Sequence, residues 1–441
     1  MHADKIGLAL CTALLLEVTS YASSNSDEWK VSGDFRAGYV KYNYKNPPLY
    51  IDANGNIIGS SSTVSRGHID SNGFYITPKV SLTSPKYKNF MLKATVAGAT
   101  DFGINDEKYE SRNFVFDPHE RKSFILLQEA YLKYETKEHR VLVGREEIVT
   151  PMIDTDDWYM LANSFELAYY KNSSVKNTAI YGGYFSKMAG VWDSGANGTE
   201  FHYMSDASFV ASEDKVRAGG KGVYFGAIQY NDNTQHNFKV WEYYAVDLYN
   251  TLFMQYDYTN EFTTMKYDFG LQLINFAGVG ELAKHNSTTI NYSLYSARFD
   301  GSFSNGFDFA TGMSKYSGGD GQGATLGAFG GYPYFANGMV FHFFEAESLR
   351  NASSYKGQIG YNFDFMGIKN IWAGYRCTYY NLDSHYSSTK DGRPQEKMIL
   401  NGIQLKFGSS KGAYFRGTYE GVQIDNEPNT YSLRLIGGYR F

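Results

Sequence analysis

Cysteine is almost missing from this chain: Cys11 and Cys377 are the two in 441 residues. That excludes a disulfide-stapled scaffold. Long apolar runs are missing too. After the amino terminus no stretch approaches the ~18–20 apolar residues that a spanning helix requires. Mean hydropathy is −0.41, which excludes a helical membrane protein. The formal net charge of −5 is small for this length and argues against general nucleic-acid binding. Proline is scarce, with nine residues against 45 glycines. There is no linker, composition break or low-complexity tract. There is no recurring repeat either, which a β-propeller or β-solenoid needs. None of the nine histidines has metal-ligand spacing or sits in a convincing arrangement with Ser or Asp, and no phosphate loop appears. The sequence therefore implies no cofactor, no metal and no enzymatic activity.

Aromatic residues are plentiful, at 17% with 39 Tyr and 31 Phe. Tyrosine suits a protein with much surface at a membrane–water boundary, because its ring is apolar and its hydroxyl wet. A barrel crosses a membrane without long apolar runs, since only every second residue faces lipid. Residues 1–22 read as a signal peptide. Lys5, beside Asp4, forms a weak n-region, Ile6 to Leu16 an apolar core, and Ser20-Tyr21-Ala22 a small-residue cleavage site. Cleavage after Ala22 removes Cys11 and leaves Cys377 as the only thiol, so an intramolecular disulfide is then impossible. Residues 23–441 form one domain on this reading.

From Trp29 onward, candidate strands of ~9–12 residues are joined alternately by long polar connections and short turns. Long connections include Lys45–Asp70, Glu146–Ser164, Met188–Lys221 and Gly318–Ser353. Short ones include Ser84–Asn89, Thr136–Glu138, Asn231–Asn237 and Gly301–Gly306. A tight connection at Asp247 breaks the alternation. The expectation is an all-β, transmembrane antiparallel barrel of about 18 strands, with both termini on the short-turn side.

The last segment alternates clearly. Tyr431, Leu433, Leu435, Gly437, Tyr439 and Phe441 share one face; Ser432, Arg434, Ile436, Gly438 and Arg440 share the other. A carboxyl-terminal Phe closing such a strand resembles the terminal assembly signal of bacterial outer-membrane β-barrels.

The most distinctive stretch runs Gly144-Arg145-Glu146-Glu147-Ile148-Val149-Thr150-Pro151-Met152-Ile153-Asp154-Thr155-Asp156-Asp157, with Asn163-Ser164-Phe165-Glu166 after it. Ile148, Val149, Met152, Ile153, Trp158, Met160 and Leu161 make it too apolar for a solvated external loop. The inside of a wide barrel is where it can bury. Asp154, Asp156 and Asp157 would then face the water-filled constriction or clasp the wall.

This stretch resembles the OprD-like family of outer-membrane porins. There a strand ends at a Gly-Arg turn into a Thr-Pro-containing constriction loop, followed by Asp and by an Asn-x-Phe start to the next strand. Glu129-Ala130-Tyr131 is similar to that family as well. The motif covers about a tenth of the chain, the barrel pattern nearly all of it. The resemblance implies passive, substrate-selective diffusion, often of carboxylate-bearing small molecules, with Arg145 and the Asp154–Asp157 cluster at the constriction. It also implies a Gram-negative outer membrane as location. Its partners there are lipid, lipopolysaccharide, small hydrophilic solutes and the barrel-assembly machinery. Whether the barrel is a monomer or a homotrimer is left open.

Strand parity places further charges inside. Arg434, Arg416 with Glu420, Arg376, Lys406, and Arg36 with Asp34 all alternate with apolar residues that suit lipid. A charge on the lipid face costs ~2–4 kcal/mol at the midplane, so the lumen is favoured for each. Because the first strand closes against the last, these cations are expected to share one wall. They would either orient carboxylates in transit or simply neutralise Asp34 and Glu420. Parity around Arg298 is ambiguous, and Arg440 falls at the rim. Two rivals remain: a barrel protease or lipase, which needs a rim Asp/His or Ser/His set, and a transporter of hydrophobic compounds, which needs a plug longer than Ser23–Trp29.

Overall fold

The computed structural model describes residues 28–44, 50–51, 57–58, 69–105, 123–156, 160–190, 200–207, 219–285, 291–318, 329–340, 349, 351–385, 387, 393–426 and 429–441. The segment 1–22 lies outside them, as does Asp157. Eighteen long strands make the wall. They are β1 (Lys30–Tyr44), β2 (Ile69–Thr83), β3 (Phe90–Ala99), β4 (Phe124–Glu135), β5 (His139–Glu146) and β6 (Ser164–Asn172). Then follow β7 (Thr178–Ala189), β8 (Val223–Asn231), β9 (His236–Ala245), β10 (Tyr249–Glu261), β11 (Met265–Gly278) and β12 (Asn291–Phe303). The last six are β13 (Phe307–Gly318), β14 (Ser353–Asn362), β15 (Ile371–Asn381), β16 (Lys397–Gly408), β17 (Gly412–Ile424) and β18 (Thr430–Arg440).

Each strand pairs antiparallel with its sequence neighbours, and β1 pairs with both β2 and β18, so the sheet closes. Closure removes the unpaired edges that an open sheet would expose. A two-residue strand at His202–Tyr203 adds to the end of β7. Among the described residues, helix is confined to short pieces such as Met204–Ala207 and Gly280–His285.

Short connections lie at one end, where the backbone often needs positive φ. Asn89, Asn177, Asn233 and Asn370 adopt φ of 72°, 62°, 61° and 61°, a region Asn tolerates better than most residues. In one such turn the Asp232 carboxylate accepts the N–H groups of Thr234, Gln235 and His236 at 2.8, 2.8 and 2.9 Å. These bonds, led by His236, hold that carboxyl far below its usual range. The exceptional connection is where alternation breaks: Asp247, at φ 62°, turns β9 into β10 at the long-loop end.

The surface is inverted relative to a soluble fold. Val143, Ile403, Tyr295 and Tyr439 stand out on the outer face with more than half their area exposed. The inward parity carries Thr, Ser, Gln and charged residues, together with a dense aromatic patch. Water-facing apolar area on this scale marks a surface made for lipid. Two β-bulges adjust parity. One lets Gln128 and Glu129 both point inward, at 0% and 2% exposure; the other lies between Glu166 and Leu167. Closure is completed by the last residue. Gly33 N donates to Phe441 O at 3.1 Å and Phe441 N to Gly33 O at 3.2 Å. The Phe441 ring lies where a side chain at position 33 would stand, 2.4 Å from a Cβ.

Candidate functional site

Among the described residues, two segments leave the long-loop end and fold into the lumen. The first follows β5. Met152, Ile153 and Met160 are buried, at 7%, 1% and 2% exposure, whereas Val149 stays 69% exposed. Inward-facing aromatics of β6–β9 belong to the same buried core, with Phe165 edge-on to Phe185 at 5.7 Å and Trp241 stacked on Tyr243 at 5.9 Å. Thr150 closes the bend: its hydroxyl donates to Ile153 O at 2.8 Å and accepts from Ile153 N at 3.1 Å. Asp154 shapes its own loop, accepting from the Thr155 hydroxyl at 3.0 Å and from Asp156 N at 3.4 Å. Asn163 Nδ2 donates to Asp154 O at 3.1 Å. Asp156 takes φ 28° beside it.

The second inward segment, residues 329–340, belongs to the connection between β13 and β14. The alternation marks that connection only as long, although residues 329–340 carry no charge and include Phe329, Tyr332, Tyr334, Phe335, Met339 and Val340, an apolar signal of the same kind as in the first loop. The wall grips it through backbone atoms. Gln272 Nε2 donates to Pro333 O at 2.9 Å, Ser354 Oγ to Ala336 O at 3.1 Å and Thr378 Oγ1 to Asn337 O at 2.9 Å. Arg376 Nη1 donates to Gly338 O at 2.8 Å. Glu420 accepts Met339 N and Val340 N, each at 2.6 Å. The two segments also meet: Ile153 bridges Phe329 and Gly330, and Asp154 N donates to Phe329 O at 3.2 Å.

Most of the cations expected inside are placed on inward parity, but they do different things. Arg36 Nε meets Asp34 Oδ2 at 3.0 Å and its Nη1 donates to Met160 O at 3.2 Å, so it clasps the first loop. Arg376 clasps the second. Arg434 is 5% exposed and faces Thr418 and Val40 across its two ladders. Lys406 and Arg416 are direct partners across β16 and β17. Arg145 departs from the expectation. It shares parity with Val141 and Val143 on the exposed outer face, pairs with Glu166 at 3.4 Å and lies 4.1 Å over the Phe201 ring. The strand runs on through Glu146, and its two-residue alternation puts Arg145 outward and Glu146 inward. Glu420, expected to neutralise an arginine, also caps loop N–H groups.

Two lumen lysines, Lys356 and Lys79, escape the sequence analysis, and the structure resolves the ambiguous parity of Arg298. Arg298 faces inward and is neutralised by Asp257 at 2.9 Å and Asp300 at 3.1 Å. Lys356 pairs across the ladder with inward-facing Thr378, and the alternation of Tyr355, Gly357 and Ile359 was the signal that would have placed it. Lys79 meets Glu147 at 2.5 Å, on the wall next to Arg36. A cavity of about 140 Å³ lies between these groups and the first loop, lined by Asp34, Arg36, Lys79, Glu147 and Met160. Burial raises the Glu147 carboxyl against the opposing pull of Lys79. Burial likewise raises Asp154, opposed by the Thr155 hydroxyl.

Charge is thus distributed unevenly. Along β1–β5 cations and carboxylates alternate in pairs, as in Lys93–Glu129 at 2.6 Å and Arg36–Asp34. On β14–β16, Lys356 and Lys406 make no ion pair among the described residues.

No family model matches the sequence, and no curated protein does. Solved structures do match. Acinetobacter baumannii OccAB4 aligns with TM-score 0.73 at 14% identity, covering 94% of this chain and 98% of that one. Pseudomonas aeruginosa OccK9 (OpdG) aligns with TM-score 0.72 at 13% identity, with the same coverage. A BenF-like porin from Pseudomonas fluorescens Pf-5 aligns with TM-score 0.71 at 13% identity, covering 94% and 99%. At such identities the likeness is one of fold: this chain has the closed barrel of these porins over nearly its whole length.

Proposed function

We propose that the chain is an outer-membrane porin of the OprD-like kind, passing small hydrophilic solutes by passive diffusion with a preference for anionic or zwitterionic, carboxylate-bearing molecules. One observation carries the preference. The lumen wall over β14–β16 holds Lys356 and Lys406 without ion pairs among the described residues, whereas the wall over β1–β5 is charge-balanced. An unneutralised cation inside a narrow, low-dielectric passage attracts anions far more than the same cation in bulk water. The apolar outer face supports residence in a bilayer, with lipid and lipopolysaccharide as surroundings. Residues 1–22 would direct export, after which the barrel-assembly machinery would insert the chain. The fold of the matched porins supports the channel, and a further structure of the same fold, Pseudomonas aeruginosa OpdK, is solved with vanillate.

The test is conductance in planar bilayers, with reversal potential measured across a salt gradient. Stepwise single-channel currents with a reversal potential on the anion side are expected. Absence of any conductance from the refolded barrel would refute the channel. Cation preference would refute the anionic bias and leave the channel standing.

A further inference from the structure

Near the short-turn end of β15, Trp372 lies flat against the lumen wall. Its bed is two glycines: a Cβ at Gly360 would stand 2.6 Å from the indole, and one at Gly374 2.3 Å. The indole Nε1 donates to Asp308 Oδ2 at 2.7 Å. Directly across the ladder, Lys406 sets its Nζ 5.0 Å from the ring centroid. Asp308 is the carboxylate whose charge reaches Lys406, yet the two form no ion pair. The indole N–H holds that carboxylate, and the ring face holds the ammonium.

A similar arrangement nearby ends differently. Tyr414 also lies over a glycine, Gly438, and donates its hydroxyl to Asp34 Oδ1 at 2.7 Å. Arg440 sits 4.0 Å over that ring, but its Nε also reaches Asp34 Oδ2 at 3.3 Å. There the cation is neutralised. With the indole the donor and the ring face separate acid from base; with the phenol they do not.

We propose that Trp372 is a positioning residue that keeps Lys406 unneutralised near the short-turn mouth, so that Lys406 is a specificity-determining contact for passing anions. This rests on the channel reading. Loss of the N–H frees Asp308 to pair with Lys406, and the local field collapses with no change in the protein's charge.

Reversal potentials across a potassium chloride gradient test it, on barrels whose folding is checked by heat-modifiable electrophoretic mobility. K406Q should lower the anion-to-cation permeability ratio about twofold. W372F keeps a ring, loses the N–H, and should lower the ratio by a similar factor. D308N should raise the ratio more in the W372F background than in the wild type. G360A, which lifts the ring from its bed, gives a second route to the same fall. A wild-type ratio in both W372F and G360A, with K406Q still lowering it, would overturn the positioning role. An unchanged ratio in K406Q would overturn the role of Lys406. Failure of the unaltered protein to conduct would sink the channel reading itself, which is a separate result.

Discussion

At the scale of single residues, the lumen charges divide by what occupies them. Arg36 and Arg376 face inward as their parity requires, yet each spends donors on a loop carbonyl, Met160 O and Gly338 O. Removing such a donor leaves carbonyls unsatisfied, at a cost of about 1–3 kcal/mol. R376A should therefore lower the thermal unfolding midpoint and make single-channel currents larger and noisier, because the second loop loses its grip on β15. Glu147 and Asp154 are raised by burial, so they bind protons at higher pH than exposed carboxyls do. Below their raised pKa the protonated forms fit the fold without the burial penalty; above it, ionisation carries that penalty. Acidification thus protonates these two carboxyls at higher pH than exposed ones and releases Lys79 from Glu147. Anion preference should rise as pH falls, and E147Q should flatten that profile, both read from reversal potentials.

At the scale of elements, the strands follow from alternation and the turns from Asn and Gly. The inward loops follow from neither alone. The apolar run Ile148–Leu161 showed that its segment needs burial, and Met152, Ile153 and Met160 are indeed buried. The described part of the second loop is uncharged and buries its own apolar residues, Phe329, Tyr334, Phe335, Ala336 and Val340, while Glu420, Thr378 and Gln272 supply partners for its backbone. The two loops interlock at glycines. Gly330 holds φ 88°, and a Cβ at Gly331 would lie 2.3 Å from Pro151 O. G331V should force the loops apart at a cost of about 1–3 kcal/mol, with single-channel conductance rising while the barrel still migrates as a folded species. Conductance equal to wild type would show that the interlock does not narrow the passage.

At the scale of the whole molecule, the closing ladder includes a pair far apart in the chain. Phe441 exchanges two backbone hydrogen bonds with Gly33 and lays its ring over that glycine. Deleting Phe441 should reduce the yield of heat-modifiable barrel several-fold in refolding and in cells. G33V, which fills the ring's place, should reduce it as well. An undiminished yield for both would mean that the ladder from Asp34↔Arg440 upward closes the barrel unaided.

The sequence by itself determined the strands, their number, the end at which the short turns lie and the inward parity of Arg36, Arg376, Lys406, Arg416 and Arg434. A strand's two-residue period is local information, and lipid tolerates few charges on its side. Tertiary structure alone decided which cations are satisfied and which stay exposed to solutes. That outcome depends on residues far apart in sequence, such as Arg376 with Gly338 or Trp372 with Asp308. Arg145 lies on the outer wall by the same local rule, since it alternates in step with the exposed Val141 and Val143. Parity sets the face of a side chain; only the closed barrel sets its partner.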